Sequence, residues 1–425
     1  MRTPTAIYKT HIIMRIFILK YFVLIPDGAS DYKIPELGMR TPFEAARKPA
    51  VDSIAKKALV GTVSNVPKDM VPESDTANLA ILSYDPAVYS RGRSPLEAVA
   101  MGLTMNDGDI AFRCNLVTLT GEDDYENKII VDHSADEIST PEAAELIRAV
   151  EAAFSNDKRH FYPGVSYRHC MIWNQPPAYG DFMRPHDILG KRIGEFLPGG
   201  TNAGGDLSTD PYRSLMRDSF ALLDNHPVNK SRRERGLRPA NSLWIWSPGG
   251  KPALPSFYDK WGVSSAVISA VDLIRGIGIC AGMRVIDVPG ATGNIHTNFS
   301  GKAQAAIDAF KEGVQLVYVH VEAPDECGHR AEIENKVRSI ELIDEKILTP
   351  VKAYLDGCGE PYKILYLPDH PTPVSTRTHS SEPVPFLIYS SVNSKCGVDL
   401  FSEQSAEATD YYIANGADIM GMLLS

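Results

Sequence analysis

The sequence predicts an α/β protein: a mostly parallel sheet flanked by helices, with an α+β cap inserted into it. Three observations carry this expectation. The runs Phe17–Ile25, Gln315–Val321 and Lys363–Leu367 are apolar without alternation, as strands covered on both faces are. Helical patterns alternate with them. Between about residue 106 and residue 258 the texture changes to short strand-like runs with many Gly, Pro and polar residues. At 425 residues the chain exceeds one simple core. We therefore expect 1–105 and 259–425 to build the core and 106–258 the cap.

The chain opens on an ambiguous segment. Ile12–Ile25 is apolar enough to suggest a signal peptide, yet Arg15 and Lys20 interrupt it and no small-x-small cleavage site follows. A buried strand fits better. Met14 is a second candidate start, which leaves residues 1–13 as an extension. Pro26-Asp27-Gly28 comes next, so Asp27 stands either in an ordinary turn or at the carboxyl end of a strand, where α/β sheets bind ligands. Residues 43–60 read as a helix and Thr62–Val66 as a short strand.

In Pro72-Glu73-Ser74-Asp75-Thr76-Ala77-Asn78, Ser74 and Asp75 are favoured caps of a helix that Pro86 closes. In one reading Ser74 is a plain N-cap. In the other its hydroxyl lies where backbone N–H groups and the macrodipole attract phosphate. Arg91 and Arg93, ahead of a helix with Pro95 in its first turn, read either as phosphate contacts or as partners of nearby carboxylates, and the structural role is favoured.

In the expected cap, Asp109–Leu119 is a strand that carries Arg113 and Asn115 on one face. Lys128–Val131 delivers Asp132-His133, Pro141–Phe154 is an amphipathic helix, and Phe161–Trp173 contains Tyr167-Arg168-His169. Gly199-Gly200-Thr201 and Pro248-Gly249-Gly250 mark loops, and the exit linker is expected near Ser247–Pro255. Arg113, Asn115, His133, Arg168 and His169 are the candidates to hold a substrate's phosphate or carboxylate.

The core pattern then resumes with strands at Ala266–Ser269 and Met283–Val288, a helix from Lys302 to Lys311, and the strand Gln315–Val321. Lys302 sits in a helix whose opposite face is apolar, and it is left out of the candidate site. Asp325-Glu326-Cys327-Gly328-His329 lies just beyond the strand, and Pro368-Asp369-His370 follows Lys363–Leu367. Thr378-His379-Ser380 lies on the loop before the last strand, Val384–Tyr389.

A net charge of -10 with no Lys/Arg stripe argues against a nucleic-acid partner, and no stretch reaches transmembrane length. The cysteines at 114, 170, 280, 327, 358 and 396 lack CxxC spacing and read as reduced thiols of a cytoplasmic protein. The expected partner is a small phosphorylated molecule, bound by a monomer or small homo-oligomer.

Three strands thus end in metal-ligand residue types: Asp27, then Asp325 and His329, then Asp369 and His370, with His379 on the loop beyond. Asp325 and His329, four apart, share one face of a helical turn. Carboxylate with imidazole suits Mn2+, Zn2+, Co2+ or Mg2+ better than an ion that prefers thiolate. A serine hydroxyl attacks phosphorus poorly at neutral pH. A divalent cation stabilises its alkoxide, and a second ion about 4 Å away holds the phosphoryl oxygens in line. The expectation is a two-metal phosphotransfer enzyme with Ser74 as nucleophile.

Pro-Asp-Gly at 26–28, Pro-Glu-Ser-Asp-Thr-Ala-Asn at 72–78, Pro-Asp-Glu-Cys-Gly-His at 324–329, Pro-Asp-His at 368–370 and Thr-His-Ser at 378–380 resemble the alkaline phosphatase superfamily. Within it they are most similar to the archaeal-type branch of 2,3-bisphosphoglycerate-independent phosphoglycerate mutases. Tyr84-Asp85-Pro86, Phe112-Arg113-Cys114-Asn115 and Gly290-Ala291-Thr292-Gly293 match that branch too, so the resemblance spans nearly the whole chain.

It implies an alkaline-phosphatase-like core and interconversion of 2-phosphoglycerate and 3-phosphoglycerate through a phosphoserine on Ser74. It also implies two divalent ions, with Mn2+ expected. Asp27, Ser74, Asp369 and His370 would surround one, and Asp325, His329 and His379 the other. A basic residue near the nucleophile is implied as well, for which Arg275 in Asp272-Leu273-Ile274-Arg275-Gly276 is the best match. Some members of the branch have been proposed to be homoserine kinases, and Asn225-His226-Pro227-Val228-Asn229 with Pro239-Ala240-Asn241 resembles that subgroup. Interception of the phosphoserine by water would make a phosphatase instead.

Overall fold

The structure, a computed structural model, describes residues 19–121, 124–180, 182–198 and 210–425. The choice between Met1 and Met14, the reading of 1–18 and the loop at Gly199-Gly200-Thr201 lie outside the described residues. The described strands are β1 (Lys20–Pro26), β2 (Leu59–Val63), β3 (Asp109–Thr120), β4 (Ile129–Asp132), β5 (Arg159–Tyr162), β6 (Arg168–Asn174) and β7 (Ser242–Gly250). They continue with β8 (Ser265–Ile268), β9 (Arg284–Val285), β10 (Leu316–Val321), β11 (Tyr362–Tyr366), β12 (Val384–Ser390) and β13 (Tyr412–Ile413).

Eight of them form one sheet in the order β13-β2-β12-β11-β1-β10-β8-β9. Only β12 runs against its neighbours, so this is a mixed, mostly parallel sheet. All seven residues of β1 are buried, as an unbroken apolar run at the centre of a doubly covered sheet requires. One face packs on the helices Pro49–Ala55, Phe299–Lys311 and Ile333–Ile343 through Phe22, Leu24, Val317 and Val319. The other packs on Ser74–Ile81, Arg93–Ala100 and Asp272–Cys280 through Val23, Ile25, Tyr318 and Leu365.

The second sheet is antiparallel, in the order β4-β3-β6-β5 with β7 also paired to β3. The 12-residue β3 is its hub, and the helices Thr140–Phe154 and Pro211–Leu223 cover it. A small apolar cluster of Ala98, Val99, Met105, Ala111, Cys170 and Ile172 joins this sheet to the helix Arg93–Ala100.

Several expected boundaries moved, each for a local reason. The helix expected over 43–60 breaks into Pro42–Ala45 and Pro49–Ala55, because Pro49 pushes Lys48 out of helical geometry (φ -132, ψ 62). The run Phe161–Trp173 divides into β5 and β6, which pair with each other. The strand expected at Met283–Val288 shrinks to β9 at the sheet's edge. The exit linker expected at Ser247–Pro255 is shorter, since β7 pairs with β3 through Gly250.

The parallel register positions the site. Leu24 pairs with Tyr366, so Asp27 and Asp369, each three residues further on, stand at one height beyond adjacent strands. On the other side Pro26 pairs with Val321, which brings the segment from Glu322 to His329 alongside.

One close contact holds the helices behind the serine. Gly276 lies so near the helix Arg93–Ala100 that an added Cβ would stand 2.2 Å from the carbonyl oxygen of Leu96. Gly276→Ala is expected to cost about 1–3 kcal/mol in urea unfolding, because the helices must part. An unchanged midpoint would show that this contact relaxes freely.

Candidate metal centre and active site

Ser74 is the first residue of the helix Ser74–Ile81, and Glu73 holds the N-cap position without a side-chain cap bond. The serine hydroxyl is therefore not spent on capping. It lies 3.2 Å from His370 Nε2. Asn78 sets this placement. Its amide donates to the Ser74 carbonyl and to Asp369 Oδ2, each at 2.8 Å, and its oxygen accepts from the buried Tyr318 hydroxyl.

Two groups of ligand-type side chains converge here. Asp27, Asp369 and His370 form the first, Asp325, His329 and His379 the second. The rings of His370 and His379 lie 4.1 Å apart between centroids, which puts the groups side by side. In the first, His370 Nε2 is 3.6 Å from Asp27 Oδ1 and 3.7 Å from Asp369 Oδ2. In the second, Asp325 lies 3.2 Å from His329 Nε2 and 3.4 Å from His379 Nε2.

The donor chemistry fits cations. His329 Nδ1 is 3.0 Å from the Arg377 carbonyl and His379 Nδ1 is 2.7 Å from the Pro72 carbonyl. Those contacts fix the Nδ1–H tautomers and leave two Nε2 lone pairs facing each other at 3.0 Å. Such an arrangement is repulsive unless a positive charge lies between them. Asp27 Oδ1, fully buried, has no hydrogen-bond partner among the described residues.

The electrostatics agree. Burial, then the charges of Asp369 and Asp325, push Asp27 well above the usual carboxylate range. Burial acts the same way on Asp369, but His370 and His320 outweigh it and hold it below that range. The Asp325 carboxylate raises His329 to about 9, the same attraction it would exert on any positive charge placed between them.

Several residues that sequence reasoning missed adjoin the site. Lys302, left out above, is fully buried and donates to the His320 carbonyl at 2.8 Å. His320 Nε2 is 3.2 Å from Asp27 Oδ2. Glu322 is raised to about 8 by burial and by Asp325 and Glu326. A lysine beside Ala303 and Ala306 and a histidine in the apolar run Leu316–Val321 were visible anomalies of the sequence. Arg275 pairs instead with Asp287 and Asp272.

A cleft cavity of about 350 Å³ lies between the sheets, with Arg93, Arg113, Arg168, Asp272, Glu322 and Arg330 in its wall. Arg93 pairs with Glu73, Arg330 with Glu326, and Arg113 with Glu97 while stacking on Trp246. Arg168 lies over the Tyr167 ring and, among the described residues, pairs with no carboxylate.

His169 and Arg168 also wall an adjoining chamber of about 110 Å³. His169 Nδ1 accepts the Gly164 N–H at 3.0 Å, so the ring proton lies on Nε2, a buried donor with no partner. Asn115 is spent on structure: it accepts from Trp246 Nε1 and donates to the His133 carbonyl. His133 packs its ring against Tyr167 and His186.

Together, these features define an α/β protein with a mostly parallel sheet and two candidate metal-binding groups beyond its central strands. Comparison with known proteins narrows this. A family model described as 2,3-bisphosphoglycerate-independent phosphoglycerate mutase matches residues 55–229. A protein of that name from Methanosarcina acetivorans is 45% identical over 96% of this chain and 100% of its own length. One called a probable mutase of this kind, from Geobacter sulfurreducens, is 44% identical with the same coverage.

Among solved structures, a cofactor-independent phosphoglycerate mutase from Thermoplasma acidophilum superposes with a TM-score of 0.65 at 26% identity, covering 96% of this chain and 99% of that one. A Pyrococcus horikoshii protein reaches 0.79 at 26% identity, with 96% and 97% covered. The chain belongs to the 2,3-bisphosphoglycerate-independent phosphoglycerate mutase family.

Burial lowers the His169 pKa from 6.5 to about 3, so the native ring stays neutral while the unfolded one titrates. Its contribution to stability is complete above the unfolded value and is lost as pH falls towards the folded one, at about 1.4 kcal/mol per pH unit. In urea melts from about pH 6.5 down to about pH 5, His169→Gln is expected to lose less stability than the wild type. Parallel slopes would show that the ring is protonated in the native chain.

Proposed function

We propose that this chain is a phosphoglycerate mutase that interconverts 2-phosphoglycerate and 3-phosphoglycerate through a phosphoserine on Ser74, with Mn2+ as the expected metal. Asp27, Ser74, Asp369 and His370 hold one ion; Asp325, His329 and His379 hold the other. The carrying observation is the Ser74 hydroxyl, free of capping and 3.2 Å from His370 beside both ligand groups. When bound, the cations stabilise the serine alkoxide and the charge gathering on the phosphoryl oxygens.

Ser74 Oγ gives up its proton and attacks phosphorus, the bond from phosphorus to the glycerate oxygen breaks, and that oxygen takes up a proton. The glycerate stays in the cleft and turns. Its other hydroxyl then attacks the phosphoserine, gives up a proton and restores Ser74. Arg113, Arg168 and His169 are the residues we assign to holding the organic part, with Arg93 and Arg330 beside them in the cleft wall. Asn115 and His133 support this set from behind through Trp246 and Tyr167. Arg275 drops out of the set, because Asp287 and Asp272 occupy it. The cap's task is to keep water from the phosphoserine, since water there gives hydrolysis instead of transfer.

The kinase alternative is not carried forward, because the relatives described above are named as mutases. We place the reaction in the cytoplasm, in keeping with six unpaired cysteines. No described helix is long and apolar enough to cross a membrane.

With Mn2+ and 3-phosphoglycerate, Ser74→Ala is expected to lose at least about 10⁴-fold in turnover. Elemental analysis should show its metal content little changed. Retained activity would refute covalent transfer, and release of inorganic phosphate without 2-phosphoglycerate by the wild type would make the enzyme a phosphatase.

A further inference from the structure

Behind the Asp27 and Asp369 carboxylates stands a histidine to which the reading above gives no task. His320 is fully buried on β10, in an otherwise apolar stretch. Its Nε2 lies 3.2 Å from Asp27 Oδ2 and 3.9 Å from Asp369 Oδ2. On the far side of the ring, Nδ1 is 3.3 Å from Ser269 Oγ, which itself accepts the Val271 N–H at 3.0 Å. Lys302, equally buried, reaches from the helix Phe299–Lys311 to the backbone oxygen of the same histidine at 2.8 Å.

Electrostatics settles the tautomer. A lone pair on Nε2 would face two carboxylates, whereas a proton there is attracted by both. Nδ1 is then the acceptor, and the Ser269 hydroxyl is placed to supply its hydrogen. Nε2 approaches Asp27 Oδ2 by charge attraction, short of hydrogen-bond geometry, and Asp27 Oδ1 is left without a hydrogen-bond partner among the described residues, 3.6 Å from His370 Nε2.

We infer that His320, held by Ser269 and Lys302, is a positioning residue that fixes Asp27 Oδ2 and so presents Oδ1 to a divalent cation. The inference rests on the metal reading above and extends it to residues that touch no ion. An outer partner of this kind pre-orients a ligand and raises its basicity; its loss typically weakens metal binding about 10–100-fold. Lys302 pins the backbone of His320, and its Nζ is buried on the same side of the sheet as Asp27 and Glu322.

Two substitutions separate the donor from mere ring volume. His320→Gln places an amide donor near the position of Nε2, while His320→Leu fills space and donates nothing. Metal-stripped full-length chains would be titrated calorimetrically with Mn2+, and the metal-free melting temperature of each recorded to exclude misfolding.

The wild type and both variants are expected to take up two ions at saturation. His320→Leu should bind one of them about 10–100-fold more weakly and the other unchanged, with His320→Gln within about threefold of the wild type. Wild-type affinity in His320→Leu would overturn the inference. So would equal weakening in both variants, which would reduce the ring to packing, or a single ion at saturation, which would make His320 a ligand itself. Wild-type protein that takes up no Mn2+ would instead sink the metal reading, an outcome distinct from the others.

Discussion

Three carboxylates buried within a few ångströms of one another are the constraint on which this structure turns. Asp27, Asp325 and Asp369 are each at most 5% exposed, and an uncompensated buried ion costs several kcal/mol. The fold answers each differently. Asp369 receives hydrogen bonds from the Gly28 N–H, the His370 N–H and the Asn78 amide. Asp325 is braced by two imidazoles and by the Thr372 hydroxyl. Asp27 keeps one oxygen without a partner. Gly28 makes the crowding feasible: it adopts φ +61, and a Cβ there would stand 2.5 Å from Thr372 Oγ1 and 2.6 Å from Asp325 Oδ1.

The compensation extends into a second layer that never meets the cleft. Lys336, fully buried, donates to Asp31 Oδ2 at 2.8 Å and to the Thr372 carbonyl at 2.7 Å. Asp31 also accepts the Val374 N–H, so one ion pair fixes the loop on which His370, Thr372 and His379 ride. Glu403, raised to about 7 by burial, accepts from the Asp31 N–H and the Thr41 hydroxyl. Breaking such a pair leaves an uncompensated charge inside, so these residues are retained for the geometry they enforce on the loop.

This division explains what could be read in advance. The aspartates and histidines were legible because each follows an apolar strand, and the physics of parallel sheets puts those ends together. Their grouping into two sets needed the register of β1 with β10 and β11, which sequence spacing does not encode. The serine was ambiguous for a good reason: Ser74 suits a cap, and only the shift of that position to Glu73 freed its hydroxyl. Lys302 was misjudged because its helix does carry an apolar face; a lysine buried within that face was itself the signal. The pairing of Arg275 with Asp287, twelve residues on, runs across a turn that periodicity cannot place. The antiparallel sheet was the least legible part, since β7 ends in Ser247-Pro248-Gly249-Gly250, a run that reads as linker although Gly249 and Gly250 still pair with β3.

In the proposed reading, selectivity comes from the cleft wall, and that wall is already half neutralised. Arg93, Arg113 and Arg330 each hold a carboxylate, so an incoming anion must compete with Glu73, Glu97 or Glu326 for them. Among the described residues Arg168 and the Nε2–H of His169 carry no such partner, and both belong to the antiparallel sheet. A ligand that reaches them gains hydrogen bonds that displace nothing, whereas one that touches only the core must trade one carboxylate for another. A free phosphate ion satisfies the core side alone. In the proposed reading, a phosphorylated glycerate long enough to bring its carboxylate or hydroxyl to Arg168 and His169 satisfies both.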